Sequence, residues 1–135
     1  MKKFAFVFPG QGSQSVGMMQ AFADAAPVRA VFAQAADALD QDLWQLVANG
    51  PPEALNTTVN TQPVMLTAGY AMYRAWLDAG GDEPAILAGH SLGEYTALVC
   101  AEAIPLRDDL SAAAKPRVLF RADDPEQRRQ QGHVG

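Results

Sequence analysis

Cysteine, histidine and basic charge are all scarce in this chain. One cysteine, Cys100, stands among 135 residues, so no internal disulfide can form, and the two histidines supply no Cys/His metal-ligand spacing. A disulfide-stapled or zinc-held fold is thereby excluded, and a reducing compartment, the cytoplasm, is the expected setting. Ten Lys and Arg against fifteen Asp and Glu leave a net charge of −5. A nucleic-acid or anionic-membrane binder needs the opposite balance, so neither partner is expected. Long hydrophobic runs are missing too. Met1-Lys2-Lys3 and then Phe4-Ala5-Phe6-Val7-Phe8 starts like a secretion signal, but the run stops at Pro9-Gly10. It is too short for a signal core or a membrane span. No internal repeat is visible.

What the chain does have is apolar content, 49% of all residues, enough for the core of one modest domain. Phe4 to Phe8 is a continuous run rich in strand formers and reads as a strand buried on both faces, as in a parallel sheet. Val16 to Ala25 reads as helix, as does the alanine-rich stretch Val28 to Ala38 with its anchors Val31 and Phe32. Leu43, Leu46 and Val47 mark a short helix stopped by Gly50-Pro51-Pro52. A longer helix is expected from Pro63, with Thr61 as N-cap. Leu66, Tyr70, Tyr73 and Leu77 form one stripe of it, and Met65, Met72 and Trp76 a second, so it is expected to be mostly buried up to Gly80-Gly81. Ala85 to Ala88 is a short strand, Gly93 to Ala103 a helix, and Leu106 to Lys115 a further helix stopped by Pro116. The order β, several helices, β, α implies an α/β fold with parallel strands. After the last apolar patch, Val118-Leu119-Phe120, the stretch from Arg121 has almost nothing to bury and is expected to be disordered.

Two stretches are candidates for chemistry. Gly89-His90-Ser91-Leu92-Gly93 matches G-x-S-x-G between a predicted strand and a predicted helix. In a nucleophile elbow the serine sits on a strained turn, its hydroxyl exposed at a helix N-terminus, and the next backbone N–H, from Leu92, faces the developing oxyanion. The short pattern also arises by chance, and a plain turn with a helix-capping serine accounts for it equally well. Gly10-Gln11-Gly12 follows the first strand. It lacks the third glycine of a dinucleotide fingerprint and the Gly-Lys-Ser/Thr ending of a P-loop. Alone, it is best read as a glycine turn with a solvated glutamine.

The stretches mean more together. Phe8-Pro9-Gly10-Gln11-Gly12-Ser13-Gln14, Thr61-Gln62-Pro63 and Gly89-His90-Ser91-Leu92-Gly93-Glu94-Tyr95 occur in order, supported by Asp42-Leu43-Trp44 and Ala97-Leu98-Val99-Cys100-Ala101. From about Phe4 to Asp108 the sequence resembles the malonyl/acyl transacylases. The resemblance implies a partial α/β-hydrolase-like acyltransferase domain with parallel strands and a nucleophile elbow, and without the family's ferredoxin-like subdomain. It implies transfer of malonyl from malonyl-CoA to the thiol of acyl carrier protein through an acyl-serine, in fatty acid biosynthesis. Coenzyme A enters only as the thioester substrate, no metal or other cofactor is implied, and a full-length protein is expected to be a monomer. Ser91 would be the nucleophile, the backbone N–H groups of Gln11 and Leu92 the oxyanion hole, and Gln62 a residue of the acyl pocket. His90 adjoins Ser91 on a sharp turn where neighbouring side chains diverge, so it is read as pocket wall rather than base. The family's base is a histidine far downstream. His133 matches nothing around that motif, and Cys100 and Met18-Met19 are read as packing residues.

Two parts are expected: residues 1–109 as the N-terminal portion of the acyltransferase domain, and 110–135 as a divergent, disordered or frameshifted tail. Pro116 stands where an ungapped count puts the family's carboxylate-binding arginine, and neither Arg117 nor Arg121 can be assigned that role. The 135-residue chain is accordingly expected to be an incomplete, inactive fragment. Other readings are a discrete polyketide acyltransferase, a serine esterase sharing only the elbow (which Gln11 and Gln62 argue against), and a non-catalytic fragment.

Overall fold

The computed structural model describes residues 3–113. Its two strands are β1 (Ala5–Phe8) and β2 (Ile86–Gly89). They pair in parallel, Ala5 opposite Ile86 and Phe8 opposite Gly89. The second strand starts one residue later than its apolar pattern suggested, because Ala85 N–H donates outside the ladder to Phe4 O at 2.9 Å. Parallel pairing requires a long crossover, and the helices between the strands supply it. Alternation sends Phe8 towards the helices, where it packs with Tyr73, Ala97 and Cys100, with Phe6 and Leu87 beside them. The opposite face holds Ala5, Val7, Ile86 and Ala88. Val7 is 71% exposed and Ile86 62%, so the expectation of burial on both faces holds on one side only. The helices that touch this pair all lie on the Phe8 side among the described residues.

The helices are α1 (Ala26–Leu39), α2 (Leu43–Asn49), α3 (Pro52–Leu55), α4 (Thr58–Asp78), α5 (Leu92–Cys100) and α6 (Leu106–Ala113). Val28, Val31, Phe32 and Ala35 of α1 meet Val64, Leu66, Ala68 and Ala71 of α4 in the main core. Leu43 and Val47 of α2, Leu55 of α3 and Leu110 of α6 close it. Asp42 caps α2 by accepting from Gln45 N–H at 3.0 Å. Trp44 lies edge-on to Phe32 and carries the Arg29 guanidinium 4.2 Å over its ring.

Four expectations fail. Val16 to Ala25 is not an α-helix; it holds only a 3₁₀ turn at Gln20–Phe22. Gly17, at φ +83°, breaks the helical path, and its N–H donates to Val47 O of α2 at 2.8 Å. The long helix begins at Thr58 rather than Pro63, with Thr57 as N-cap, so Pro63 lies inside it. The turn before the proline is held by side chains: Asn60 Nδ2 donates to Ala54 O at 2.9 Å, and Thr61 Oγ1 donates to the carbonyls of Leu55 and Thr57. These bonds offset the ladder bond that proline cannot make. Burial of α4 is also uneven. Thr61 to Ala68 are all buried, but Met72 and Trp76 of the expected second stripe are 46% and 42% exposed. α5 begins one residue before the expected Gly93 and stops at Cys100 instead of Ala103, and Glu102 then turns left-handed at φ +62°. Lys115, Pro116, Arg117, Val118-Leu119-Phe120, Arg121 and His133 lie outside the described residues.

Candidate active site

The turn between β2 and α5 is an elbow in the physical sense. Ser91 has φ +56° and ψ −116°, a conformation that L-residues rarely adopt and that costs ~1–3 kcal/mol. The surroundings enforce it. A Cβ on Gly89 would overlap the carbonyl of Gly93, and one on Gly93 would overlap the carbonyl of Phe8 at the end of β1. Only glycines let both strand ends and the helix start come this close. Gly93 N–H donates to His90 O, and Glu94 N–H to Ser91 O, each at 3.0 Å. Leu92, the first residue of α5, has its amide at the positive end of the helix, beside the exposed Ser91.

The glycine loop after β1 lies against this elbow. A Cβ on Gly10 would sit 2.9 Å from His90 O and 3.5 Å from Ser91 Cβ, so the loop backbone touches the turn directly. Gln11 follows Gly10, which puts its peptide N–H next to the elbow. Its side chain turns away: Nε2 donates to Thr58 Oγ1 in the first turn of α4 at 3.1 Å. Thr58, Gln62, Met65 and Gly69 share one face of α4 by helical spacing. At the far end of that face a Cβ on Gly69 would meet Thr96 Cγ2 at 2.7 Å and the Phe8 ring at 3.3 Å. Gln62 therefore lies on the line between the Gln11 contact and the β1–α5 contact. It is 7% exposed, and its Oε1 is buried with no hydrogen-bond partner among the described residues. A buried amide oxygen in that state is costly unless something donates to it.

The four residues picked from sequence thus fall around one place: Ser91 and Leu92 on the elbow, Gln11 on the loop touching it, Gln62 on the helix face lining the loop. Sequence reasoning picked out Gly10 in its glycine stretch but gave no role to Gln14, Asn56 or Thr58. The Gln11–Thr58 pair is 47 residues apart, and no local pattern marks it. Placing the start of α4 at Pro63 also hid that Thr58 and Gln62 share a helical face. His90 is exposed, with Nδ1 3.7 Å from the Cβ position of Gly10.

Cys100 belongs elsewhere. It lines a separate cleft of about 330 Å³ with Tyr73, Arg74, Glu83 and Leu87. Burial is the main reason its thiol is pushed up to about 12, with Arg74 acting weakly the other way. Tyr73 is raised as well, first by burial and then by nearby Cys100 and Glu83. A thiol held neutral is a poor nucleophile.

The acyl transferase domain family matches residues 5–128. This chain belongs to the acyl transferase domain family. The match runs past Asp108, where the resemblance was expected to stop. The malonyl CoA-acyl carrier protein transacylase of Escherichia coli K12 is 57% identical over 109 residues, 80% of this chain and 35% of that protein. Among solved structures, the acyl-carrier-protein S-malonyltransferase of Burkholderia pseudomallei superposes with a TM-score of 0.82 at 65% identity, over 84% of this chain and 37% of the other. A malonyl-transacylase solved in complex with a type II PKS acyl-carrier protein superposes at 0.80 with 50% identity, over 84% and 37%. The chain therefore spans about a third of the length of the relatives it matches, and its parallel pair, elbow and crossover helices are a partial acyl transferase fold.

Proposed function

We propose that this acyl transferase chain carries the nucleophile, Ser91, of a malonyl transfer from malonyl-CoA to the thiol of acyl carrier protein, in fatty acid biosynthesis. The observation that carries the reading is the strained Ser91 at the start of α5 with the Gly10–Gln11 backbone packed on it. Ser91 Oγ attacks the thioester carbonyl and loses its proton; the C–S bond breaks, leaving malonyl on Oγ and releasing coenzyme A as the thiol. The same steps in reverse order pass the acyl group to the carrier thiol. Charge gathers on the carbonyl oxygen at each stage, and the Leu92 and Gln11 N–H groups are the donors for it. The unpartnered Gln62 Oε1 takes a donor from ordered water, because a malonyl thioester offers acceptors only. No metal or redox cofactor enters this scheme, and a cytoplasmic setting suits the single buried thiol.

The test is incubation with malonyl-CoA followed by mapping the adduct by mass spectrometry. The expected result is one malonyl group on Ser91 and none on Ser91→Ala. An adduct on Cys100, or one that survives Ser91→Ala, refutes the assignment. The type II PKS carrier seen with one relative supports a second reading, in which the carrier belongs to a polyketide pathway. Chasing acyl-Ser91 with carriers of the two kinds separates them.

A further inference from the structure

The loop that presents Gln11 has no ladder or helix of its own to hold it. Residues 9–15 form no regular element, and Gly12 sits at φ +113° with nothing within 4 Å of its Cβ position. Glycine is required there for its dihedral rather than for space. Such a segment would be expected to sample many shapes, yet an oxyanion donor acts only when held in place beforehand. Two side-chain struts supply the hold. Gln11 Nε2 bonds Thr58 Oγ1 at 3.1 Å. Gln14 makes the other with both ends of its amide: Oε1 accepts from Gly12 N–H at 2.8 Å, and Nε2 donates to Asn56 Oδ1 at 2.9 Å.

We infer that Gln14 is a positioning residue for the oxyanion loop, locking Gly12 N–H and tying the loop to the α3–α4 junction through Asn56. The inference rests on the transferase reading above. Two physical points carry it. Gly12 N–H is the neighbouring amide that would otherwise compete with Gln11 N–H for an anion, and Gln14 Oε1 occupies it. The Asn56 end then anchors the loop to the same junction that holds Thr58, so the two struts fix the peptide between Gly10 and Gly12 in one orientation. A glutamine suits the post because one planar group must both accept and donate. Glutamate lacks the donor, and methionine keeps the length while losing both. Gln14 belongs to the stretch that signals the family, yet neither the nucleophile, the donors nor the acyl pocket uses it.

The experiment takes the full 135-residue chain and two readouts. Amide exchange by NMR follows Gly12; intact mass follows acylation of Ser91 by malonyl-CoA. In Gln14→Met the Gly12 amide is expected to exchange about tenfold faster, the size of one lost hydrogen bond. Gln14→Glu, which keeps the acceptor, is expected to retain protection at Gly12. Acylation of Gln14→Met at saturating malonyl-CoA is expected to fall about tenfold, less than the loss of a whole donor, with the half-saturating concentration unchanged. A merely structural role would move both constants or neither. A Gly12 amide equally unprotected in the wild-type chain and in Gln14→Met overturns the strut, whatever Ser91 does. A protected Gly12 with an unchanged acylation rate in Gln14→Met overturns the positioning role. A protected Gly12 in a wild-type chain that never acylates Ser91 overturns the transferase reading and this role with it.

Discussion

Gly93→Ala is the sharpest test of how the elbow is built. The added methyl would overlap the Phe8 carbonyl oxygen and sit 2.7 Å from its carbon and 3.1 Å from Pro9 O. Overpacking costs ~1–3 kcal/mol where side chains can yield. Here the neighbours that the methyl would meet are backbone atoms at the end of β1, and β1 is hydrogen-bonded to β2, so the cost is expected at or above ~3 kcal/mol. A small domain has a total stability of ~5–15 kcal/mol. At ~4 °C per kcal/mol the melting temperature should drop by ~12 °C. Two companions calibrate the result. Gly69→Ala meets only side-chain atoms, Thr96 Cγ2 and the Phe8 ring, and gains ~1 kcal/mol of helix propensity, so its net cost is ~1 kcal/mol or less. Gly80→Ala meets nothing within 4 Å but must hold φ +89°, a strain of ~1–2 kcal/mol. The assay is urea unfolding followed by circular dichroism at helical wavelengths. A Gly93→Ala loss no larger than that of Gly69→Ala refutes the claim that strand ends and helix start are in backbone contact at this glycine.

Three further outcomes follow from the structure. Ser91→Gly relieves a strain of ~1–3 kcal/mol at φ +56° and gives back ~0.5–1 kcal/mol in chain entropy, for a net gain of ~1 kcal/mol. Ser91→Ala keeps its Cβ and the strain, so equal urea midpoints for the two variants would contradict the strained turn. Cys100, with its thiol raised from 9.0 to about 12 by burial, is expected to react with a disulfide reagent roughly a hundredfold more slowly in the folded chain than in urea. Its folded pKa lies above its unfolded one, so its contribution to stability is whole below pH 9 and is lost as pH rises from 9 towards 12. The urea midpoint of the wild-type chain should thus fall more steeply between pH 9 and 10.5 than that of Cys100→Ala, in which the parallel effect of Tyr73 remains. Parallel slopes would count against a buried neutral thiol.

The elbow was legible because much of its physics is local. Two glycines around a serine, after an apolar run and before a helix, mark the turn, and Gly89 meets the overlap with Gly93 that forbids a side chain there, whereas the overlap of Gly93 with the Phe8 carbonyl is a tertiary contact that no local pattern shows. Periodicity likewise marked α1 and α2, whose apolar faces are set by spacing alone. Tertiary contact decided the rest. Val16 to Ala25 has helical composition, yet Gly17 N–H is drawn to Val47 O, and a bond to a residue thirty positions away appears in no local pattern. Pro63 reads as a helix start from propensity, but Asn60 and Thr61 bond back to α3 and add a turn ahead of it. That extra turn places Thr58 against Gln11 and sets Gln62 on the same face, so the candidate site exists only once α3, α4 and the glycine loop have packed. The sheet shows the same division: alternation told which residues of β1 share a face, but the packing of the helices decided that the Phe8 face is covered and the Val7 face stands open.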